Sequence, residues 1–251
     1  MGAVQAVRVA VISDVHGNLP ALRAVLDEIA TLPDVDLIVC CGDTASGPLP
    51  GATVDLVSSV ERLVSVRGNA DRAAVASFDG DADADIHEDD LWTGRQLTRP
   101  QRDWLAALPE TVTVDVDGLG AVLFCHGTPR RDDEIVLEGT PETEVAAMVD
   151  GIDESVVVCG NTHMQFDRTV GGKRLVNAGS VGWAYGEPGA HWVLLGPDVE
   201  MRRTLYDREA AAEELRRASS WPRLELFVER ILMGPISAAD ATAAFEAAAQ
   251  R

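Results

Sequence analysis

Five short polar segments carry side chains able to bind a cation: Asp14-Val15-His16, Gly42-Asp43, Gly68-Asn69-Ala70-Asp71, His126-Gly127 and Gly160-Asn161-Thr162-His163. Three of the chain's five histidines fall within them. A lone Asp-x-His or Gly-Asp is a common turn, but five such segments in order, each ending an apolar run, form a set. Carboxylate, imidazole and amide oxygen together suit Mn²⁺, Fe or Zn²⁺ better than Ca²⁺ or a thiolate site. Two carboxylates, three imidazoles and an Asn are enough for two cations sharing a bridging ligand, the arrangement that clamps a phosphoryl group. The cysteines do not compete. Cys125 adjoins His126, and adjacent side chains on an extended backbone point to opposite faces.

Such groups converge when they follow the carboxyl ends of strands in an α/β sheet. Val7–Ile12, Leu37–Cys41 and Leu63–Val66 read as buried strands. Between the first two, Asn18 predicts a helix cap, with Pro20 in the first turn and Leu22, Val25, Leu26 and Ile29 at helical spacing. A short helix is expected over Val54–Val60. Residues 71–109 break this pattern. Phe78–Asp90 reads as a solvated acidic loop with an exposed His87, since the Gly that a Ca²⁺ loop needs at its sixth position is missing. Thr98-Arg99-Pro100-Gln101 predicts a capping box opening a helix through Trp104 and Leu108.

From Thr111 strands dominate: Thr111–Val116, Ala121–Cys125, Val156–Cys159, Gln165–Val170, Lys173–Val176, Trp192–Leu195 and Glu200–Leu205, with a helix near Glu142–Val149. Gly171-Gly172 signals a two-residue hairpin. The tail reads as three helices with an apolar face of Leu224, Phe227, Ile231 and Leu232. With no repeat and no linker, residues 1–251 are expected to form a single domain with a core over about 7–205 and a helical tail over about 207–251.

Composition narrows the function. The 251 residues hold 41 acids against 21 bases, a net charge of −20. That excess repels nucleic acid and anionic lipid, so neither a nucleic acid polymer nor a membrane is an expected partner. Self-association into a homo-oligomer is compatible with that excess. No apolar run reaches the ~18 residues of a membrane span. Val9–Ile12 is too short for a signal peptide, and Cys40, Cys41, Cys125 and Cys159 form no C-x-x-C pair, reading as buried thiols of a cytoplasmic protein.

The ordered set Asp14-x-His16, Gly42-Asp43, Gly68-Asn69-x-Asp71, His126-Gly127 and Gly160-x-x-His163 resembles the calcineurin-like metallophosphoesterase superfamily, and within it the small bacterial and archaeal phosphodiesterase-like branch. Val11–Asn18, Phe124–Pro129 and Val176–Val181 add to the likeness. The resemblance implies an α/β fold, a four-layer αββα sandwich of two mixed β-sheets flanked by helices, here with a helical C-terminal extension. It implies a first metal on Asp14, His16 and His163, a second on Asn69 and His126, and Asp43 bridging. The cofactor would be two divalent ions, Mn²⁺ foremost, with Fe, Zn²⁺, Ni²⁺ or Mg²⁺ as substitutes. The activity implied is phosphate-ester hydrolysis by in-line attack of a hydroxide activated by both metals, with Asp43, Asn69 and His126 in the catalytic apparatus.

Two departures qualify this. The family commonly has Gly-His-x-His where this chain has Gly160-Asn161-Thr162-His163; Asn161 offers only an amide oxygen, so the second metal site should be weak. Ala70 stands where many relatives carry a proton-donating His, which favours a phosphodiesterase and good leaving groups over a phosphomonoesterase or protein phosphatase. Asp71 is then expected to pair with Arg67 or Arg72. Candidate phosphate-binding groups are Arg67, Arg130, Arg131 and Ser180 with the backbone from Asn177; surface ion pairing is the competing reading for each arginine. Trp183, Tyr185 and Trp192 are candidates for stacking on substrate or for packing. A rival of another class is a partner-binding scaffold of the same fold, which the Asn at 161 keeps open.

Overall fold

The computed structural model describes residues 7–81 and 88–249. β1 (Val9–Ile12) is buried on both faces. Ala10 and Ile12 pack on α1 (Leu19–Thr31), while Val9 and Val11 point to a second sheet. Helix α1 starts where Asn18 Oδ1 accepts from the Ala21 amide at 3.3 Å, as its cap position requires. β2 (Leu37–Cys40), α2 (Pro50–Ser59) and β3 (Leu63–Ser65) follow, and the three strands are parallel. Helix α2 begins earlier than the Val54–Val60 expectation because Pro50 takes its first turn, where a missing N–H costs nothing.

The irregular stretch is helical: α3 (Asn69–Asp79), α4 (Glu88–Gln96) and α5 (Arg99–Ala106). The acidic loop expected over Phe78–Asp90 is therefore ordered at both ends. Asp79 closes α3, and Glu88, Asp89 and Asp90 occupy the first turn of α4, where the helix dipole favours carboxylates. His87 lies outside the described residues. Gln101 completes the expected cap of α5, accepting from the Thr98 amide at 2.8 Å.

β4 (Thr111–Val116), β5 (Gly120–Cys125), α6 (Glu142–Met148), β6 (Val156–Cys159), β7 (Phe166–Val170) and β8 (Lys173–Asn177) build the second half. Gly171 and Gly172, both at positive φ, turn β7 into β8 as the hairpin signal requires. β9 (Ala190–Leu195) then returns to pair antiparallel with β1, and β10 (Val199–Thr204) with β9. The result is two mixed five-stranded sheets, ordered β10-β9-β1-β2-β3 and β4-β5-β6-β8-β7. Between them lies an apolar layer including Val11, Val39, Phe124, Val158, Val176 and Val193, with α1 outside one sheet and α6 outside the other.

The tail forms α7 (Arg208–Ala218), α8 (Leu224–Phe227) continued by a π-helical turn (Val228–Met233), and α9 (Ala238–Ala249). Leu224, Phe227, Ile231 and Leu232 are buried, packing with Leu49, Trp92, Trp183 and Tyr185 of the body. Trp192 is wholly buried and donates to Thr204 Oγ1 at 2.9 Å, so its role is packing. The four cysteines are buried free thiols. Among the described residues no helix is long and apolar enough to cross a membrane.

Candidate metal centre

The loops after β1, β2, β5 and β6 meet at one end of the sandwich because their main chains bond to each other. The Asp14 amide donates to Gly42 O at 3.0 Å and the His16 amide to Asp43 O at 3.0 Å, joining the first two loops. The Gly160 amide donates to His126 O at 2.8 Å, joining the other two. A Cβ at Gly68 would overlap Asp43 Oδ1, and one at Gly160 would overlap Ser13 Oγ and Asp14 Oδ2, so only glycine permits this closeness.

Strain is concentrated at the same place. Among the described residues, the non-glycine positions with positive φ are Asp14, His16, Asp43, Asn161 and His163. Each left-handed residue costs on the order of 1–3 kcal/mol, and a fold keeps such a cluster where side chains must be aimed.

The aim is mutual. Asp14 Oδ1 lies 3.2 Å from His163 Nε2 and 3.8 Å from His16 Nε2. The Nε2 atoms of His16 and His163 are 3.1 Å apart. Asp43 Oδ2 sits 3.3 Å from His126 Nε2 and 3.7 Å from His16 Nε2, within reach of both sides of the cluster. Asn69, the first residue of α3, places Oδ1 3.0 Å from His126 Nε2. Each imidazole is oriented from behind: Nδ1 donates to Ser46 O from His16 (3.1 Å), to Cys41 O from His126 (2.6 Å) and to Trp183 O from His163 (2.9 Å). A carbonyl on Nδ1 leaves Nε2 as the coordinating atom, the usual tuning of a metal-binding histidine.

The donor set fits a cation. Asp14 Oδ1 is buried without any hydrogen-bond partner, an orphan that a metal would satisfy. Its sister Oδ2 accepts from Ser13 Oγ at 2.6 Å and the Asn161 amide at 3.0 Å. Two overlapping groups, Asp14–His16–His163 and Asp14–Asp43–His126, bring their ligand atoms close enough to hold an ion each.

Electrostatics agree. Burial by itself would raise the Asp14 carboxyl, but the facing imidazoles, His163 first, hold it far below the usual range. Asp43 is likewise lowered, burial being outweighed by His126. Burial would lower the His126 imidazole, yet the Asp43 charge pushes it up to about 10. His16 also moves up, against burial, through Asp14 and Asp43. Without metal, protons occupy positions that the ions would take.

Other expected roles change. Asp71 pairs with neither Arg67 nor Arg72. It is buried, its Oδ1 accepting from the Thr44 and Ala45 amides (2.9 and 3.1 Å) and its Oδ2 from Gly68 (3.1 Å), so it shapes the loop bearing Asp43. Burial and Asp43 push its carboxyl up to about 6. Arg67 pairs with Glu110, Arg130 with Glu134 and Arg131 with Asp133. Arg72 pairs with Asp132. Ser180 Oγ donates to Asp14 O and accepts from the Trp183 amide, both at 2.7 Å, which commits the hydroxyl to loop structure. Asn161 Nδ2 donates to Glu134 O at 3.1 Å.

Sequence reasoning missed two positioning residues, Ser13 and Asn177. Asn177 Nδ2 donates to Gly160 O (2.6 Å) and Thr162 Oγ1 (3.1 Å), fixing the His163 loop. The signal available for Ser13 is its place immediately before Asp14.

A two-sheet sandwich with these donors at one end defines the class: a metal-dependent phosphoric ester hydrolase with adjoining cation positions. The calcineurin-like phosphoesterase superfamily domain matches residues 7–198, and the chain belongs to that family, whose members bind a dinuclear divalent metal site. An uncharacterized protein of Methanocaldococcus jannaschii is 27% identical over 88% of this chain and 98% of its own. The crystal structure of a metallophosphoesterase from Sphaerobacter thermophilus is similar, with a TM-score of 0.71 and 28% identity over 92% of this chain and all of that one. A hypothetical protein of Pyrococcus horikoshii shares the fold at a TM-score of 0.75 and 18% identity, with 92% and 100% covered.

Proposed function

We propose that the protein is a metal-dependent phosphodiesterase acting on a small phosphate ester, with Mn²⁺ as its preferred ion. The observation that carries the metal assignment is the orphaned, buried Asp14 Oδ1 facing imidazoles whose Nδ1 atoms are already taken. Asp14, His16 and His163 hold one ion, His126 and Asn69 the other, and Asp43 reaches both. When bound, the ions supply Lewis acidity to the phosphoryl oxygens and a nucleophile at neutral pH.

The chain's own residues bind and orient. Asn69, at the start of α3, turns its Oδ1 to His126 Nε2 at 3.0 Å, the pair that would hold the second ion. Ala70 leaves that helix start without a proton donor, which supports diesters with good leaving groups over monoesters. Its amide instead donates to Asp43 Oδ1 at 2.8 Å, holding the bridging carboxylate.

Turnover of bis(4-nitrophenyl) phosphate and 4-nitrophenyl phosphate with added Mn²⁺ tests this. The diester should be the faster substrate, and His126→Ala should cut its turnover about 100-fold or more. Undiminished diester turnover in that variant would remove the catalytic assignment, and no Mn²⁺-dependent turnover in the wild type would favour the scaffold reading.

A further inference from the structure

The tail forms a half-open cavity of about 230 Å³ against the body, lined by Trp183, Trp221, Phe227, Ile231, Ile236 and Arg230. Trp183 is shared with the metal centre: its ring meets that of His16 edge-on at 5.5 Å, and its carbonyl orients His163. On its tail side the same indole meets Trp221 at 6.2 Å and Phe227 at 5.3 Å, both edge-on. A cavity with such rings for walls favours a flat guest. Its volume is below the ~300–1,000 Å³ of pockets that enclose a whole drug-sized ligand, so it suits one part of a larger molecule.

Two arginines line it, and they differ. Arg223 is committed to Asp89. The Arg230 guanidinium has no ion pair or hydrogen bond among the described residues, and it projects from the π-helical turn, a distortion found frequently at functional sites. Arg230 is exposed, so its guanidinium meets the apolar walls from the solvent side.

We infer that this cavity is the specificity pocket for a planar aromatic ester group of the substrate, whose anionic substituent is read by Arg230. The inference rests on the phosphoesterase reading of the neighbouring metal centre, which holds the phosphoryl end while the tail holds the ring.

Calorimetry on the Mn²⁺-loaded full chain with methylphosphonate, phenylphosphonate and 4-carboxyphenylphosphonate separates the two. Phenyl should improve on methyl about tenfold through apolar burial, and the carboxylate should add about tenfold more. Arg230→Gln should abolish the carboxylate increment and keep the phenyl one; Ile236→Trp, which fills the cavity, should abolish both ratios. Circular dichroism checks that each variant is folded, and Leu226→Glu at the half-exposed rim serves as a third probe.

Equal binding of all three phosphonates to the wild type overturns the pocket and leaves the metal centre standing. So does survival of both ratios in the variants, or a Leu226→Glu effect confined to self-association. Failure of methylphosphonate itself to bind overturns the metal-centre reading and the pocket together.

Discussion

Asp71 belongs to the Gly68-Asn69-x-Asp71 segment, but what it does there is not written in the motif: its carboxylate accepts from the backbone N–H groups of Gly68, Thr44 and Ala45, which any sequence supplies, so geometry reveals the role. The ligands themselves were legible because each closes an apolar strand. With His126 raised to about 10, the metal-free site holds a proton there at pH 7. An arriving cation must expel that proton, so affinity rises with pH towards 10. Mn²⁺ titration at pH 7.5 in buffers of differing ionisation enthalpy should show release of about one proton or more per protein; no release would contradict the assigned ligands. Asn161 sets a second expectation. Replacing it by His exchanges a neutral amide for an imidazole, and Asn161→His should tighten the weaker Mn²⁺ binding step about tenfold. Two equally tight steps in the wild type would overturn this.

At the scale of elements, the tail does more than cover apolar surface. Phe245 of α9 packs edge-on against Tyr185 at 6.2 Å, and Tyr185 stacks on the His163 ring at 5.3 Å and 16°. A chain of rings thus runs from the last helix to His163 of the proposed metal centre. Phe245→Ala should weaken Mn²⁺ binding about tenfold with secondary structure retained; an unchanged affinity would show that the tail does not orient His163. The three tail helices and their apolar face were readable from spacing. Helix α4 was not, because its buried residues are Asp90, Thr93 and Gly94 rather than an apolar stripe. Gly94 is needed there for close approach to Ser77 of α3, a requirement invisible to hydrophobic periodicity.

For the whole molecule, parallel β1–β3 followed from their alternation with helices, whereas the return of β9 to the edge of β1 did not. That pairing joins residues about three quarters of the chain apart, and local pattern does not encode it. Net charge also reads differently once the site is assembled. Two divalent ions against Asp14 and Asp43 leave about +2 locally, enough to capture one phosphate group inside an acidic protein. Asp14, His16, Asp43 and Asn69 come from the first sheet and its connections, His126 and His163 from the second. Metal at about 100 times its dissociation constant should stabilise the fold by about 2.7 kcal/mol. Chelator should therefore lower the melting temperature by about 5–10 °C, and an unchanged melting curve would show that no ion links the sheets. The ions then act as a rivet through two plates. With such a rivet in place the plates could not slide past one another without shearing it, so the spacing between the sheets would be the dimension this protein can least afford to change.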